Sequence, residues 1–161
     1  MFRIIAMGED IAKRKIIGMG NAALDTRPAM DLIVARMRLA FVGQFETLGR
    51  RGGTVWPPVQ PETLYYKRRR GLDLRTLHSS LDLRRSVTRS QDSNRYVRVH
   101  RDKIVYSTKV KYGKFHQKGY IIPGWEDRVP ARPFLVLTKQ DTIEFGKILQ
   151  DHLVNAFRLT Q

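Results

Sequence analysis

At 161 residues, with no cysteine and a formal net charge of +15, the chain has the length of one domain with a core of its own. The missing thiols exclude disulfides, thiolate metal sites and cysteine nucleophiles. No run of about 18 apolar residues occurs, and Met1-Phe2-Arg3-Ile4-Ile5-Ala6-Met7 is too short an apolar stretch for a signal peptide, so a protein soluble when made is expected.

Phe2 to Met7 reads as a short strand, and Asp10 can cap a short helix to about Met19. Asp25-Thr26-Arg27-Pro28 is a stronger helix start, with Thr26 as cap and Pro28 in the first turn. From there Met30, Ile33, Val34, Met37, Phe41, Phe45 and Leu48 recur at helical steps. They make one apolar stripe on a long helix that packs the core, with Asp31, Arg36 and Arg38 pointing elsewhere. Arg50-Arg51-Gly52-Gly53 should break it. Trp56-Pro57-Pro58 and Pro61 mark a stretch too proline-rich for regular structure.

Glu62 to Arg70 reads as a short helix stopped at Gly71. Its Lys67-Arg68-Arg69-Arg70 run points in all directions, so at least two of these cations should face solvent or a partner. In Arg84 to Arg89, Arg85, Val87 and Arg89 alternate with Ser86 and Thr88, which reads as a half-exposed strand. Tyr96 to Arg101 and Ile104 to Thr108 read as a hairpin about Asp102-Lys103, with Val97 and Val99 on one face and Arg98 and His100 on the other. Tyr112, Phe115 and His116 are spaced as on one helical turn, which Gly119 ends. Ile121 to Asp127 is loop-like about Pro123-Gly124. Phe134 to Leu137 reads as a strand. Thr138 then caps the last helix, with Asp141 in the capping-box position and Phe145, Ile148, Leu149, His152, Leu153 and Ala156 along one face. This order predicts a single α+β domain over residues 1–161, a small antiparallel sheet (open-barrel or sandwich-like) packed by a long N-terminal helix and a C-terminal helix.

The charge is uneven. Residues 64–118 carry 16 Lys/Arg against 4 Asp/Glu. A surplus so concentrated attracts polyanions, unless it merely solvates a surface or pairs with an acidic neighbour.

Signs of catalysis are few. His78, His100, His116 and His152 show no metal-ligand spacing. The acids of Glu9-Asp10 and of Glu126-Asp127 are adjacent and therefore point apart. There is no nucleophile elbow and no phosphate-cradling loop. His78-Ser79-Ser80 reads as a turn, since no third group is placed to orient the histidine. His116 reads as a packed ring, with a subunit contact as the second reading. Arg132 stands between Pro130 and Pro133, so its backbone is stiff before any partner arrives. A guanidinium held this way suits a bidentate bond, either to groups of its own domain or to a neighbouring subunit.

Several of these segments occur together in a known order. Trp56-Pro57, Thr63 and Lys67 precede Leu83-Arg84-Arg85-Ser86-Val87-Thr88. Then come Tyr112, His116-Gln117-Lys118-Gly119 and Pro130-Ala131-Arg132-Pro133-Phe134-Leu135. The series resembles the bacteriophage virion-morphogenesis (tail-completion) family, most strongly over residues 56–153. Gly113 departs from it, standing where the family more often has alanine. The resemblance implies a structural virion protein in the tail or neck, assembled in the host cytoplasm, with no enzymatic activity, cofactor, metal or membrane. It implies a homo-oligomeric ring, expected as a hexamer, which ends the tail tube, meets the tube protein and the head connector, and passes phage DNA. Closure needs one patch to meet a different patch on the next copy. Six copies at +15 each would carry +90, which demands acidic partners or DNA. On this reading Trp56, Tyr112, His116, Arg132 and Phe134 are expected at a subunit or partner interface. Lys67, Arg68, Arg69, Arg70, Arg98, Lys109, Lys111 and Lys114 are expected at DNA or another polyanion. Their contact would be to the backbone alone, since aromatics do not appear interleaved with them. A free-standing nucleic-acid-binding module and a small basic nuclease are the alternatives.

Overall fold

The computed structural model describes residues 3–5, 25–100, 102–121 and 128–158. The helix expected from Asp10 to Met19 and the turn at Pro123-Gly124 lie outside them.

The first helix, α1 (Arg27–Glu46), begins where capping chemistry places it. The Asp25 carboxylate accepts the Arg27 amide at 3.1 Å, and Met30 N–H donates to Thr26 O at 3.0 Å. Met30, Ile33, Val34, Met37, Phe41 and Phe45 are all buried, as their spacing predicts, joined by Ala29, Ala40 and Gln44. The helix stops before Arg50, because Leu48 already adopts φ 50° and Gly49 φ 92°. Gly49 N–H bonds Gln44 O at 2.9 Å and Leu48 N–H bonds Phe45 O at 3.4 Å, a Schellman closure. A Cβ on Gly49 would lie 2.1 Å from Thr54 O, so the turn requires glycine. Arg50–Gly52 adds one 3₁₀ turn.

After an extended stretch, α2 (Pro61–Arg69) starts on its proline and yields to Gly71 at φ 62°. Arg84 to Arg89 is not a strand. Asp82–Thr88 forms α3, and Leu83, Ser86 and Val87, at i, i+3 and i+4, are its buried face. Its hydroxyls satisfy the preceding turn, Ser86 to Leu83 O and Thr88 to Arg84 O, both at 2.8 Å. So short a run fits both periods on paper; burial chose the helical one.

Strand β1 (Arg3–Ile5) pairs antiparallel with β3 (Lys103–Thr108), Arg3 opposite Val105 and Ile5 opposite Lys103. β2 (Arg95–Val99) lies on the other side of β3, in the order β1-β3-β2. A loop as short as that between Val99 and Lys103 can join only antiparallel neighbours, and His100 N–H bonds Lys103 O across it at 2.8 Å. Ile104, Val105 and Tyr106 are buried in succession, so this middle strand is covered on both faces, not one. Next come α4 (Gly113–Lys118), ended by Gly119 at φ 76°, and a two-stranded ribbon of β4 (Tyr120–Ile121) and β5 (Arg128–Val129).

Phe134 to Leu137 is not a strand either. The backbone there has no ladder; its hydrogen-bonding groups turn to side chains, as described below. The final helix, α5 (Lys139–Arg158), has the expected box. Asp141 Oδ2 accepts Thr138 N–H at 2.7 Å, while Asp141 N–H returns to Thr138 Oγ1 at 3.2 Å. Aspartate reaches as glutamate would.

The fold is thus α+β, with a long N-terminal and a long C-terminal helix. It divides into two compact units. The first takes Met1–Met37, Val97–Tyr106 and Thr138–Gln161. Met30, Ile33, Val34, Ile104, Val105 and Phe145 are buried in it, and His152 Nε2 lies 2.8 Å from Asp25 O. The second takes Arg38–Tyr96 and Ser107–Leu137, with Phe41, Phe45, Trp56, Leu83, Val87 and Phe134 buried.

Candidate functional site

Within the second unit, polar side chains tie three distant segments together. The Pro130–Leu135 segment has two rigid prolines and few backbone donors, so its remaining polar groups need outside partners. Gln117 on α4 supplies two: its Oε1 accepts from Phe134 N–H and from Leu135 N–H, each at 3.0 Å. Arg132 N–H donates to His116 O at 2.6 Å. Pro133 O accepts from Gln44 Nε2 at 2.9 Å and from Trp56 Nε1 at 3.0 Å, while Gln44 Oε1 takes Gly52 N–H at 2.8 Å. Arg132 Nε and Nη2 donate to Pro57 O at 3.0 Å and Pro58 O at 2.9 Å. The two motif segments and the tryptophan–proline stretch are therefore one hydrogen-bonded frame.

That frame revises several expectations. Trp56, 3 % exposed, stacks edge-on to Phe45 with centroids 5.3 Å apart. Phe134, 1 % exposed, packs against Phe45 at 6.0 Å. Both pack within the unit, so neither presents the surface expected of an interface residue. Arg132 follows the reading in which it bonds carbonyls of its own chain. Lys67, 4 % exposed, does not stand on the outer surface with the other cations, where it was expected to meet DNA: its ammonium donates to Asp73 O at 2.9 Å and Arg75 O at 2.8 Å, folding the chain after α2 back onto the helix. The stem is buried and the head bonds two carbonyls, which offsets part of the cost of burying the charge without neutralising it.

Gly113 now has a reason. A Cβ there would meet Thr108 Cγ2 at 3.0 Å and Leu83 Cδ1 at 3.1 Å, and Thr108 is pinned by a 2.7 Å bond to Ser86. Glycine lets α4 approach α3 closely, which offsets the weaker helix propensity.

The remaining cations are exposed. Arg68, Arg69, Arg70, Lys109, Lys111 and Lys114 lie on the second unit and Arg98 on the first. Aromatics do accompany them, contrary to expectation. Tyr65, 64 % exposed, lies 5.9 Å beneath the Arg69 guanidinium, and exposed Tyr66 lies 4.3 Å beneath that of Arg70. Both pairs are cation–π contacts between residues four apart, a spacing already legible in Tyr65-Tyr66-Lys67-Arg68-Arg69-Arg70. Lys114 sits 4.9 Å over Phe115.

Beside the frame the second unit holds a cavity of about 820 Å³. Lys67, Arg132, His116 and Tyr112 all line it, with the hydroxyls of Thr63, Ser79 and Ser80. Tyr112 is partly exposed and meets the His116 ring edge-on at 5.9 Å. Burial lowers the pKa of Lys67, and the nearby Arg132 charge adds to this while Asp73 opposes it. Burial likewise lowers the pKa of Arg132. His116 is pushed below its ordinary value by burial first and by Arg132 second, and its buried Nδ1 has no partner. Asp73 is held well below the usual carboxylate range, chiefly by its hydrogen bond to Arg75, whose Nη2 lies 2.5 Å from Oδ2.

His78 is buried behind this region, edge-on to Phe45 at 5.9 Å, with Nδ1 2.7 Å from Thr76 O and Nε2 unpartnered. The Thr76 carbonyl requires the proton on Nδ1, so Nε2 carries a buried lone pair in the neutral ring. Burial lowers its pKa. Below about pH 6.5 the unfolded chain takes up protons that the folded histidine refuses. Stability is therefore full above that pH and falls below it. Thermal melts from about pH 7.5 to about pH 5 should show a falling midpoint, with a smaller fall in His78→Gln. Equal slopes for wild type and variant would refute this role for His78.

Among the described residues no group of three or more His, Asp or Glu side chains could hold a metal, and no helix is long and apolar enough to cross a membrane. What the second unit does offer is a stiff frame, a cationic cavity and an exposed basic helix, a combination suited to holding other macromolecules in place. The phage virion morphogenesis family matches the chain over residues 10–154, and the protein belongs to that family, with a role in virion assembly. No curated protein and no solved structure matches it.

Proposed function

We propose that the chain is a tail-completion component. Copies close a ring, expected as a hexamer, at the end of the tail tube or in the neck. The ring ends tube growth, meets the head connector, and lets DNA pass through, with no turnover of its own. Family membership over residues 10–154 is the observation that carries this reading. The charge supports it: a chain at +15 closes on itself only with acidic neighbours or DNA in attendance. The exposed face of α2 supports it as well, because Arg68, Arg69 and Arg70 can meet phosphates without reading bases.

Disrupting the gene in a phage that carries it tests the proposal. Filled heads and unattached or overlong tails should accumulate, and joined particles at normal yield would count against it. A basic nucleic-acid-binding module without a virion role is the second reading, favoured only by the charge; it predicts normal particles in that experiment. Converting Arg68, Arg69 and Arg70 together to glutamine should move elution from heparin to lower salt, by roughly three charge contacts' worth, with the melting temperature unchanged. Lys67→Gln should instead lower the melting temperature, since Asp73 O and Arg75 O lose their donor. Unchanged heparin retention in the triple variant would remove α2 from the polyanion surface.

A further inference from the structure

The cavity of the second unit contains cations that the chain does not neutralise. Lys67 and Arg132 are 4 % and 7 % exposed, and no carboxylate among the described residues forms an ion pair with either. Asp73, which acts on Lys67 through space, is already engaged by Arg75 through both carboxylate oxygens. Glu62, the one acid on the cavity wall, is exposed at the first turn of α2 and pairs with neither. Arg132 uses Nε and Nη2 on carbonyls, which leaves Nη1 without a hydrogen-bond partner among the described residues. Lys67 uses two of its three donors. Two buried like charges with donors to spare are the half of an ion pair whose other half comes from outside.

We propose that this cavity receives a side-chain carboxylate from an acidic segment of a partner protein, bound by Arg132 and Lys67. The proposal rests on the assembly reading above and supplies the partner chemistry it lacks. The lining favours a peptide: Val59, Leu77, Val129 and Pro130 stand beside the cations and suit the methylenes and backbone of a Glu- or Asp-bearing segment. A DNA duplex carries its phosphates on a convex rod, which meets a protruding basic surface such as α2 better than a recess. A partner of opposite charge also fits a chain at +15 better than a second copy does.

The test uses the purified full chain, a capped hexaglutamate peptide and a DNA duplex, at physiological ionic strength, where loose surface pairing is screened. Thr63 lines the cavity one helical turn before Lys67, so Thr63→Glu places a carboxylate of the chain's own beside the lysine. Thr63→Glu should weaken hexaglutamate binding at least about tenfold, while Thr63→Gln binds as wild type. The Arg68, Arg69, Arg70 to glutamine variant should keep peptide binding and lose duplex binding. Equal peptide affinity in Thr63→Glu and wild type would overturn the proposal. So would loss of peptide binding in the triple variant, or displacement of bound peptide by the duplex, which would assign the cavity to phosphates. Ring formation of the wild-type protein, seen by microscopy, judges the assembly reading separately from peptide binding.

Discussion

Arg132→Ala should cost about 3 kcal/mol of stability and abolish assembly into particles. Among the described residues the side chain is the only donor to Pro57 O and Pro58 O, at 3.0 and 2.9 Å, and it crosses from the Pro130–Leu135 segment to the start of the stretch leading into α2. Charged hydrogen bonds of this kind contribute about 1.5–3 kcal/mol each, and the cost of burying the guanidinium returns part of that on truncation. Arg132→Lys separates the two effects. An ammonium keeps the charge but lacks the planar fork, so it should recover charge-dependent binding before it recovers stability. Chemical denaturation of both variants measures the first quantity, and complementation of a phage lacking the gene measures the second. An alanine variant as stable as wild type would show that the frame does not need its guanidinium.

Gln117→Ala should be equally damaging, at about 2–4 kcal/mol. One amide oxygen accepts from both Phe134 N–H and Leu135 N–H, and its removal leaves two backbone donors without partners beside the fully buried Phe134. Gln117→Glu keeps the acceptors and loses only the weak 3.4 Å donation to Leu135 O, so it should retain most of the stability. Denaturation midpoints decide: if Gln117→Glu falls as far as Gln117→Ala, geometry other than this double acceptance holds the segment.

What could be read from the chain is what depends on near neighbours. The stripe from Met30 to Phe45, the Thr138–Asp141 box and the Tyr112–His116 turn each need only residues within a few positions, and each is present. The errors share a cause. Phe134 to Leu137 has the composition of a strand, yet its amides are met by a side chain 17 and 18 positions away. No periodicity encodes that. Seven residues of α3 are too few to separate a helical from an alternating pattern. Lys67 stands in a run of four cations, and only the carbonyls of Asp73 and Arg75 distinguish it from its neighbours. The family motif was visible as a pattern before its physical meaning was. Tryptophan, lysine, glutamine and arginine recur in it as donors and acceptors to backbone that proline has deprived of partners. The pairing of Tyr65 with Arg69 and of Tyr66 with Arg70, by contrast, is local: a spacing of four on one helix encodes it.

Electron microscopy of the purified protein, alone and mixed with tail tubes, bears most directly on whether stiff basic copies close around a channel. Closed rings with a central opening wide enough for duplex DNA, seated on tube ends, are the predicted result. Single copies at every concentration, with bare tube ends, would contradict it.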